Sequence, residues 1–358
     1  MPADCQRRQR LLVVSDTLSP DPNGVALIAM RTSELLSVRA DVHLLGPAGA
    51  RAPSTVRFTG LKRTAIGTSD FRLPYPGPRT VAQAVREADA VVVHTLGPLG
   101  CEALLFARRY HMHSTLFLHN DFSKLMRHTL RSRAGRSVAE WAAARIEGWA
   151  VGVASRVVAP SSMAMPCSDA FRLEPPLYDA QAHREHRAEA PLTVAYHGRV
   201  SREKAVDSTI RAIANADPGH SRFRFRLIGD GSQLLPTLRL ARELGVPVDH
   251  VPWCKEPIAS LAEADIYVMA SRTETYSMAS LEAIGCGLPV IARSVGEIPG
   301  YIRHGETGLL FDSDRQMPGL IRRLADDPAL RASMASRALA AATEKSVWQQ
   351  FADASIAV

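Results

Sequence analysis

Two acidic residues, Glu274 and Glu282, bracket an otherwise uncharged run in SRTETYSMASLEAIGCGLPVIARSVGEIP (Ser271–Pro299). The apolar DIYVMAS before this stretch reads as a buried strand. MASLEAIGCG, from Met278 onward, reads as a helix closed by Gly285 or Gly287. Glu274 then lies in a loop and Glu282 about two turns into the helix, roughly 10 Å further along its axis. Between them fall the unpaired N–H groups of a helix N-terminus, which attract phosphate. Acids on either side of an anion site suit a ligand with hydroxyls at both ends and a diphosphate between them. A nucleoside diphosphate sugar has that layout. In isolation, Glu282 reads as a solvated helix acid.

A second stretch, YHGRVSREKAVD, ends an apolar strand at Gly198 and places Arg199 and Lys204 ahead of the next helix. Glycine lets the backbone approach a ligand, and two cations beside a helix start form a cradle for a diphosphate whose charge grows as it leaves. Strand-end loops also carry exposed cations with no such role. LIGDGS (Leu227–Ser232) is another glycine turn at a strand end, but Leu234 stands where a dinucleotide fingerprint needs its last glycine, so it reads as a tight turn. FDSD (Phe311–Asp314) holds a D-x-D; it precedes a helix and reads as a helix cap.

The elements that must hold these residues form two series. Leu11–Asp16, Val42–Pro47, Ala90–Thr95, Ser114–Asn120 and Arg156–Ser161 are near-continuous apolar runs that end in polar or Gly/Pro turns, as strands of a parallel sheet buried on both faces do. A polar stretch, Arg172–Pro191, interrupts them and reads as an interdomain connection. The pattern resumes at Leu192–Gly198, Phe223–Gly231, Asp265–Ser271 and Leu288–Arg293. Two successive βαβα series predict an α/β fold of two doubly wound, Rossmann-like domains, with ligands at the carboxyl ends of the strands and in the cleft the domains face.

Bulk properties agree. At 358 residues the chain is long enough for two domains, and 46% hydrophobic with 22% charged residues is a globular composition. No apolar run approaches the ~18–20 residues that span a bilayer. The short apolar piece after the basic N-terminus runs into Ser15 and Asp16 and reads as a first strand, not a signal peptide. Five scattered cysteines without a C-x-x-C pair read as reduced thiols of a cytoplasmic protein, with no zinc site. A net charge of +7 suits an anionic partner. Nucleic acid is excluded as the leading choice, because no helix-turn-helix, zinc-finger or aromatic-basic signature occurs and aromatics are only 6%.

ETYSMASLEAIGCGLPVIA resembles the E-x7-E signature of retaining glycosyltransferases of family 4, which have the GT-B fold. SDTLSPDPNGVA resembles the first loop of that family, nearest its branch of α-mannosyltransferases and sulfoquinovosyltransferases. VVHTLGPLG, HNDFSK and VVAPSS resemble later segments of its first domain. GRVSREK resembles the family's G-R-x-x-x-x-K loop, HGETGLLF its late turn, and SVWQQFADA its final helix, which crosses back. The resemblance implies a GT-B chain: residues 1–172 as an acceptor-side domain, 191–340 as the nucleotide-sugar domain and 341–358 as the crossover helix.

It further implies that Arg199 and Lys204 bind the donor diphosphate and stabilise the leaving nucleoside diphosphate. Glu274 meets hydroxyls of the transferred sugar, Glu282 holds the ribose, and the backbone around Tyr276, Ser277 and Met278 meets sugar and phosphate. Gly24 lets the backbone near the phosphates, and His119 faces the sugar across the cleft, shaping the sugar site more than serving as a base. Ser277 stands where many relatives have glycine, and Asn120 where the nearest branch has threonine. The interdomain stretch lacks the usual G-V-D turn.

The expected reaction is hexosyl transfer from a UDP- or GDP-linked sugar to an acceptor hydroxyl of a lipid, glycan or small molecule. It proceeds with retention and without a metal or other cofactor, because Arg199 and Lys204 supply the positive charge. The alternatives are a sugar-nucleotide epimerase and a non-catalytic nucleotide-sugar-binding protein on the same fold. In His119–Arg136, Phe122, Leu125, Met126 and Leu130 interleave with Lys124, Arg127, Arg131 and Arg133. That is either a basic amphipathic helix on an anionic membrane, giving peripheral association, or a surface helix with its apolar side on the core.

Overall fold

The structure, a computed structural model, describes residues 7–18, 24–68, 71–75, 77–119, 133–160, 171–173, 191–253 and 257–343. These fall into two compact units, residues 7–173 and 191–343.

The first unit is built on β1 (Arg10–Val14), β2 (Asp41–Pro47), β3 (Arg57–Leu61), a separate antiparallel hairpin of β4 (Arg63–Thr68) and β5 (Phe71–Pro74), then β6 (Ala90–Val93), β7 (His113–Phe117), β8 (Arg156–Pro160) and β9 (Phe171–Leu173). Its main sheet is parallel throughout, in the order β3-β2-β1-β6-β7-β8-β9. Parallel neighbours need long crossovers; helices Gly24–Ser37, Pro78–Glu87, Pro98–Arg109 and Arg133–Val153 supply them. Leu12, Val14, Val91, Val93 and Leu116 alternate into a core with Leu99, Ala103 and Leu104 of the helix Pro98–Arg109.

The second unit repeats the plan with β10 (Leu192–His197), β11 (Phe223–Ile228), β12 (Val248–Val251), β13 (Ile266–Met269), β14 (Val290–Arg293) and β15 (Gly308–Phe311). The order is β12-β11-β10-β13-β14-β15, again all parallel. In each sheet the strand order reverses beside the unit's first strand, at β1/β6 and at β10/β13. Ligands of open parallel sheets bind outside the carboxyl ends of the strands at such a reversal. Every residue of β10 and β13 is buried. Burying a Val, Leu, Ile, Phe or Met side chain contributes about 1.5–3 kcal/mol. The strand ends are therefore fixed by a rigid floor, and the loops above them inherit that rigidity.

The strands read from apolar runs form as expected. The connection predicted at Arg172–Pro191 begins later, because Phe171–Leu173 joins β8 as a parallel strand; residues 174–190 lie outside the described residues. So do Asn120, residues 120–132 of the basic amphipathic stretch, and residues 344–358 of the expected final helix, whose first three positions complete the helix Pro328–Thr343. Among the described residues, no helix is long and apolar enough to cross a membrane. Charge divides unevenly along the sequence: 22 Lys and Arg stand against 14 Asp and Glu up to Glu174, and 21 against 22 after it.

Candidate functional site

In the second unit, β10 runs into Gly198, whose φ of +135 only glycine adopts readily. The loop that follows is pinned to the end of β11. Gly198 N donates to Ile228 O at 3.0 Å and Val200 N to Asp230 O at 2.8 Å. A Cβ on Gly229 would fall 2.1 Å from Gly198 O, and one on Gly231 2.4 Å from Val200 O. LIGDG is thus more than a tight turn: its glycines let one loop lie against the other. Tyr196 Oη donates to Arg199 O at 2.8 Å, fixing the backbone at the cation.

Arg199 Nη2 lies 3.1 Å from Glu203 Oε1, which also accepts from Ser201 Oγ at 2.5 Å. Burial alone would raise the Glu203 carboxyl, but the Ser201 hydrogen bond and the Arg199 charge outweigh it and hold it below its ordinary range. Lys204 closes a short 3-10 turn and reaches across to Glu274 Oε1 at 2.6 Å, where the Glu274 side chain is 8% exposed. Arg272 N donates to Glu203 O at 2.8 Å, so the loops after β10 and β13 are joined through backbone as well.

The loop carrying Glu274 is fixed from behind. Gly296, at φ +59, packs so closely that a Cβ would meet Glu274 O at 2.3 Å; Glu297 N donates to Thr275 O at 2.8 Å and Tyr301 Oη to Tyr276 O at 2.8 Å. Ser277 then adopts φ 52, ψ 72, the left-handed region, and the helix Met278–Gly285 starts without a side-chain hydrogen bond capping it. Its first N–H groups are left for an anion. The left-handed turn favours glycine, yet serine occupies it, bonded to Ser280 Oγ at 2.8 Å.

Glu282 is the fifth residue of that helix, just over one turn from its start, so the expectation of two turns is corrected. It is buried, and its Oε2 lies 2.9 Å from His197 Nδ1 at the end of β10, without the alignment of a hydrogen bond. His197 stacks on Trp253 with ring centroids 5.6 Å apart. Glu282 Oε2 and His197 Nδ1 thus face each other as a buried pair, while Arg199 Nε and His197 Nε2 are buried without a hydrogen-bond partner among the described residues. Buried polar groups are nearly always satisfied in a folded protein, so nitrogens that are not mark a place built for a polar ligand.

The D-x-D resolves as structure. Ser313 caps the turn Asp314–Gln316 in a capping box, while Asp314 pairs with Arg293 and accepts from Ser208 Oγ at 2.8 Å. No cluster of His, Cys, Asp and Glu able to hold a metal occurs among the described residues. Cys101 and Cys286 are free, and burial pushes each thiol up to about 12.

In the first unit, Gly24 opens the helix Gly24–Ser37, and His119 lies two residues past β7, buried. At the reversal beside β1, Asp16 is buried, accepts from Leu99 N at 2.8 Å, Gly100 N at 3.2 Å and Thr95 Oγ1 at 2.6 Å, and so caps the helix Pro98–Arg109. Burial pushes its carboxyl up against the opposing pull of these hydrogen bonds.

Of the residues expected from sequence, Arg199, Lys204, Glu274, Tyr276, Ser277, Met278 and Glu282 fall on the adjoining loops and helix described in the second unit. Glu203, His197, Trp253 and Gly296 were not singled out. His197 directly precedes Gly198 and Glu203 lies inside the GRVSREK loop, so proximity to the motif was a usable signal. Nothing local marks Trp253 or Gly296.

Two open parallel sheets with a shared strand order and strand-end loops of this kind define the GT-B class. Solved structures with this fold include Anabaena HepE in complex with UDP and glucose (TM-score 0.74, 17% identity, 96% of this chain and 97% of that one) and WaaG, a glycosyltransferase involved in lipopolysaccharide biosynthesis (TM-score 0.76, 17% identity, 97% and 100%). Residues 179–340, which include most of the second unit, match the model of glycosyl transferases group 1. The D-inositol 3-phosphate glycosyltransferase of Actinosynnema mirum is 35% identical over 168 residues, 41% of this chain and 39% of that protein. Its counterpart in Rhodococcus opacus is 31% identical over 202 residues, 52% and 45%. The matched part spans less than half the length of these curated relatives.

Proposed function

We propose that this chain is a retaining hexosyltransferase that moves a sugar from a nucleoside diphosphate to an acceptor hydroxyl. The observation that carries the reading is the pair of buried nitrogens without a hydrogen-bond partner among the described residues, Arg199 Nε and His197 Nε2, together with the uncapped helix start and the Lys204–Glu274 and His197–Glu282 pairs. Arg199, Lys204 and the N–H groups at Met278 hold the diphosphate and stabilise the charge that grows on it as the glycosidic bond breaks. Glu282 takes the ribose hydroxyls and Glu274 those of the sugar. Gly24 lets the first-unit backbone approach the phosphates, and His119 presents its ring to the sugar. The residues that hold the leaving group already carry positive charge, so a metal is not part of the proposed mechanism.

The neighbours solved with UDP put UDP-linked sugars first among donors, with GDP-linked sugars second. The excess of cations before Glu174 favours an anionic acceptor, and the relatives' names put an inositol phosphate first and a lipopolysaccharide-type acceptor second. The test is donor-dependent release of UDP or GDP, with thermal shifts for UDP, GDP and ADP measured alongside. Nucleotide release that rises with added acceptor supports transfer, interconversion of the sugar nucleotide without release would make the chain an epimerase, and stabilisation without turnover would make it a binding protein.

A further inference from the structure

Two histidines of the first unit meet in an arrangement that the donor reading does not require. His94 directly follows β6 and His119 lies two residues beyond β7; these strands are parallel neighbours, with Val93 beside Leu116. The register sets the His94 ring on Phe117 at 4.7 Å and on His119 at 5.2 Å, with 15° between the planes in both cases. His94 Nδ1 lies 2.9 Å from His119 Nε2, and the rings are only 2% and 7% exposed as residues.

A hydrogen bond between two imidazole nitrogens holds one proton, so the tautomers of the two rings are tied together. If His119 Nε2–H donates, His94 must carry its own proton on Nε2. That atom is buried with no partner among the described residues, leaving an orphaned N–H. If His94 Nδ1–H donates, the orphan is only a lone pair, and orphaned buried N–H groups are the rarer of the two. His119 then carries its proton on Nδ1.

We propose that His94 is a positioning residue that locks His119 as the neutral Nδ1–H tautomer, so that His119 offers the transferred sugar a hydrogen-bond donor and not a base. The role toward the sugar rests on the donor reading above; the tautomer does not. Burial favours neutral rings, pushing His119 down to about 3 and His94 well below its ordinary value. A neutral N–H can hold a sugar oxygen through the reaction without taking a proton from it, which suits a transfer that needs no enzymic nucleophile or base at this position.

The experiment is long-range proton–nitrogen correlation on the full-length chain labelled at histidine, with His119→Gln used to assign the ring. At pH 7 the expected His119 spectrum has a protonated Nδ1 and a bare Nε2; a protonated Nε2, or a doubly protonated ring, overturns the proposal without any variant. His94→Phe keeps a ring on Phe117 but has no Nδ1. It should move His119 toward the other tautomer and lower kcat about tenfold, with the donor KM within about twofold. His94→Asn, whose amide N–H falls near the former Nδ1, should restore both. An unchanged His119 tautomer in His94→Phe refutes the lock, and a shifted tautomer with unchanged kcat refutes the sugar contact. A shifted tautomer in a chain that never releases nucleotide refutes the donor reading and leaves the lock standing.

Discussion

Arg199 and Lys204 each sit against a carboxylate, Glu203 at 3.1 Å and Glu274 at 2.6 Å, but removing them has different consequences. Arg199→Ala leaves Glu203 with its Ser201 hydrogen bond, so kcat should fall about 10²–10³-fold with a near-unchanged melting temperature. Activity within tenfold of the wild type would remove Arg199 from the mechanism. Lys204→Ala strands Glu274 in a side chain that is 8% exposed, so its loss of activity should come with measurable destabilisation, and calorimetry separates the two. His119 adds a pH dependence. Its folded pKa is depressed to about 3 from 6.5, so the stability it confers is intact above pH 6.5 and is lost as pH falls toward 3. The slope is at most about 1.4 kcal/mol per pH unit for this ring. Urea titrations at pH 7 and pH 5 should show the drop, and His119→Gln should reduce it without abolishing it, because burial depresses His94 and His43 as well; equal midpoints in the wild type would contradict the burial argument. Glu274 and Glu282 were legible because no charge falls between them, and Arg199 and Lys204 because they follow a glycine that ends a strand. His94 was not, because a single histidine after a strand carries no pattern and its partner lies 25 residues on.

At the scale of elements, the loops are shaped by close backbone approach. Gly296→Ala would put a Cβ against Glu274 O and force a left-handed alanine, which costs roughly 1–2 kcal/mol before any clash is counted. Although Gly296 touches no proposed ligand atom, the variant should raise the donor KM severalfold by shifting the Glu274 loop; steady-state kinetics with unchanged KM would show that the loop is held otherwise. Gly229→Ala should act likewise on the Arg199 loop, since its Cβ would collide with Gly198 O. The helix Met278–Gly285 was readable from its apolar pattern and closing glycines. The conformation before it was not, because serine in the left-handed region has no signature in a sequence lacking glycine there.

For the molecule as a whole, the strands missed by apolar runs are instructive. Apart from the small hairpin, β3, β9, β12 and β15 are the four edges of the two sheets. An edge strand has a neighbour on one side only, and β3 and β12 are nowhere fully buried, so their sequences need no continuous apolar run. Interior strands such as β10 and β13 must be apolar along their length, and they announced the architecture. Hydrogen exchange should report the same division of labour on adding UDP: protection at residues 198–204 and 274–282 and little change in the interior strands. Protection confined to the first unit would misplace the nucleotide. The lopsided charge has a practical side too. Since the excess of cations lies before Glu174, protein adsorbed to a sulfonated resin would be gripped by one half of its chain, and the bound material should still take up nucleotide from the flowing buffer.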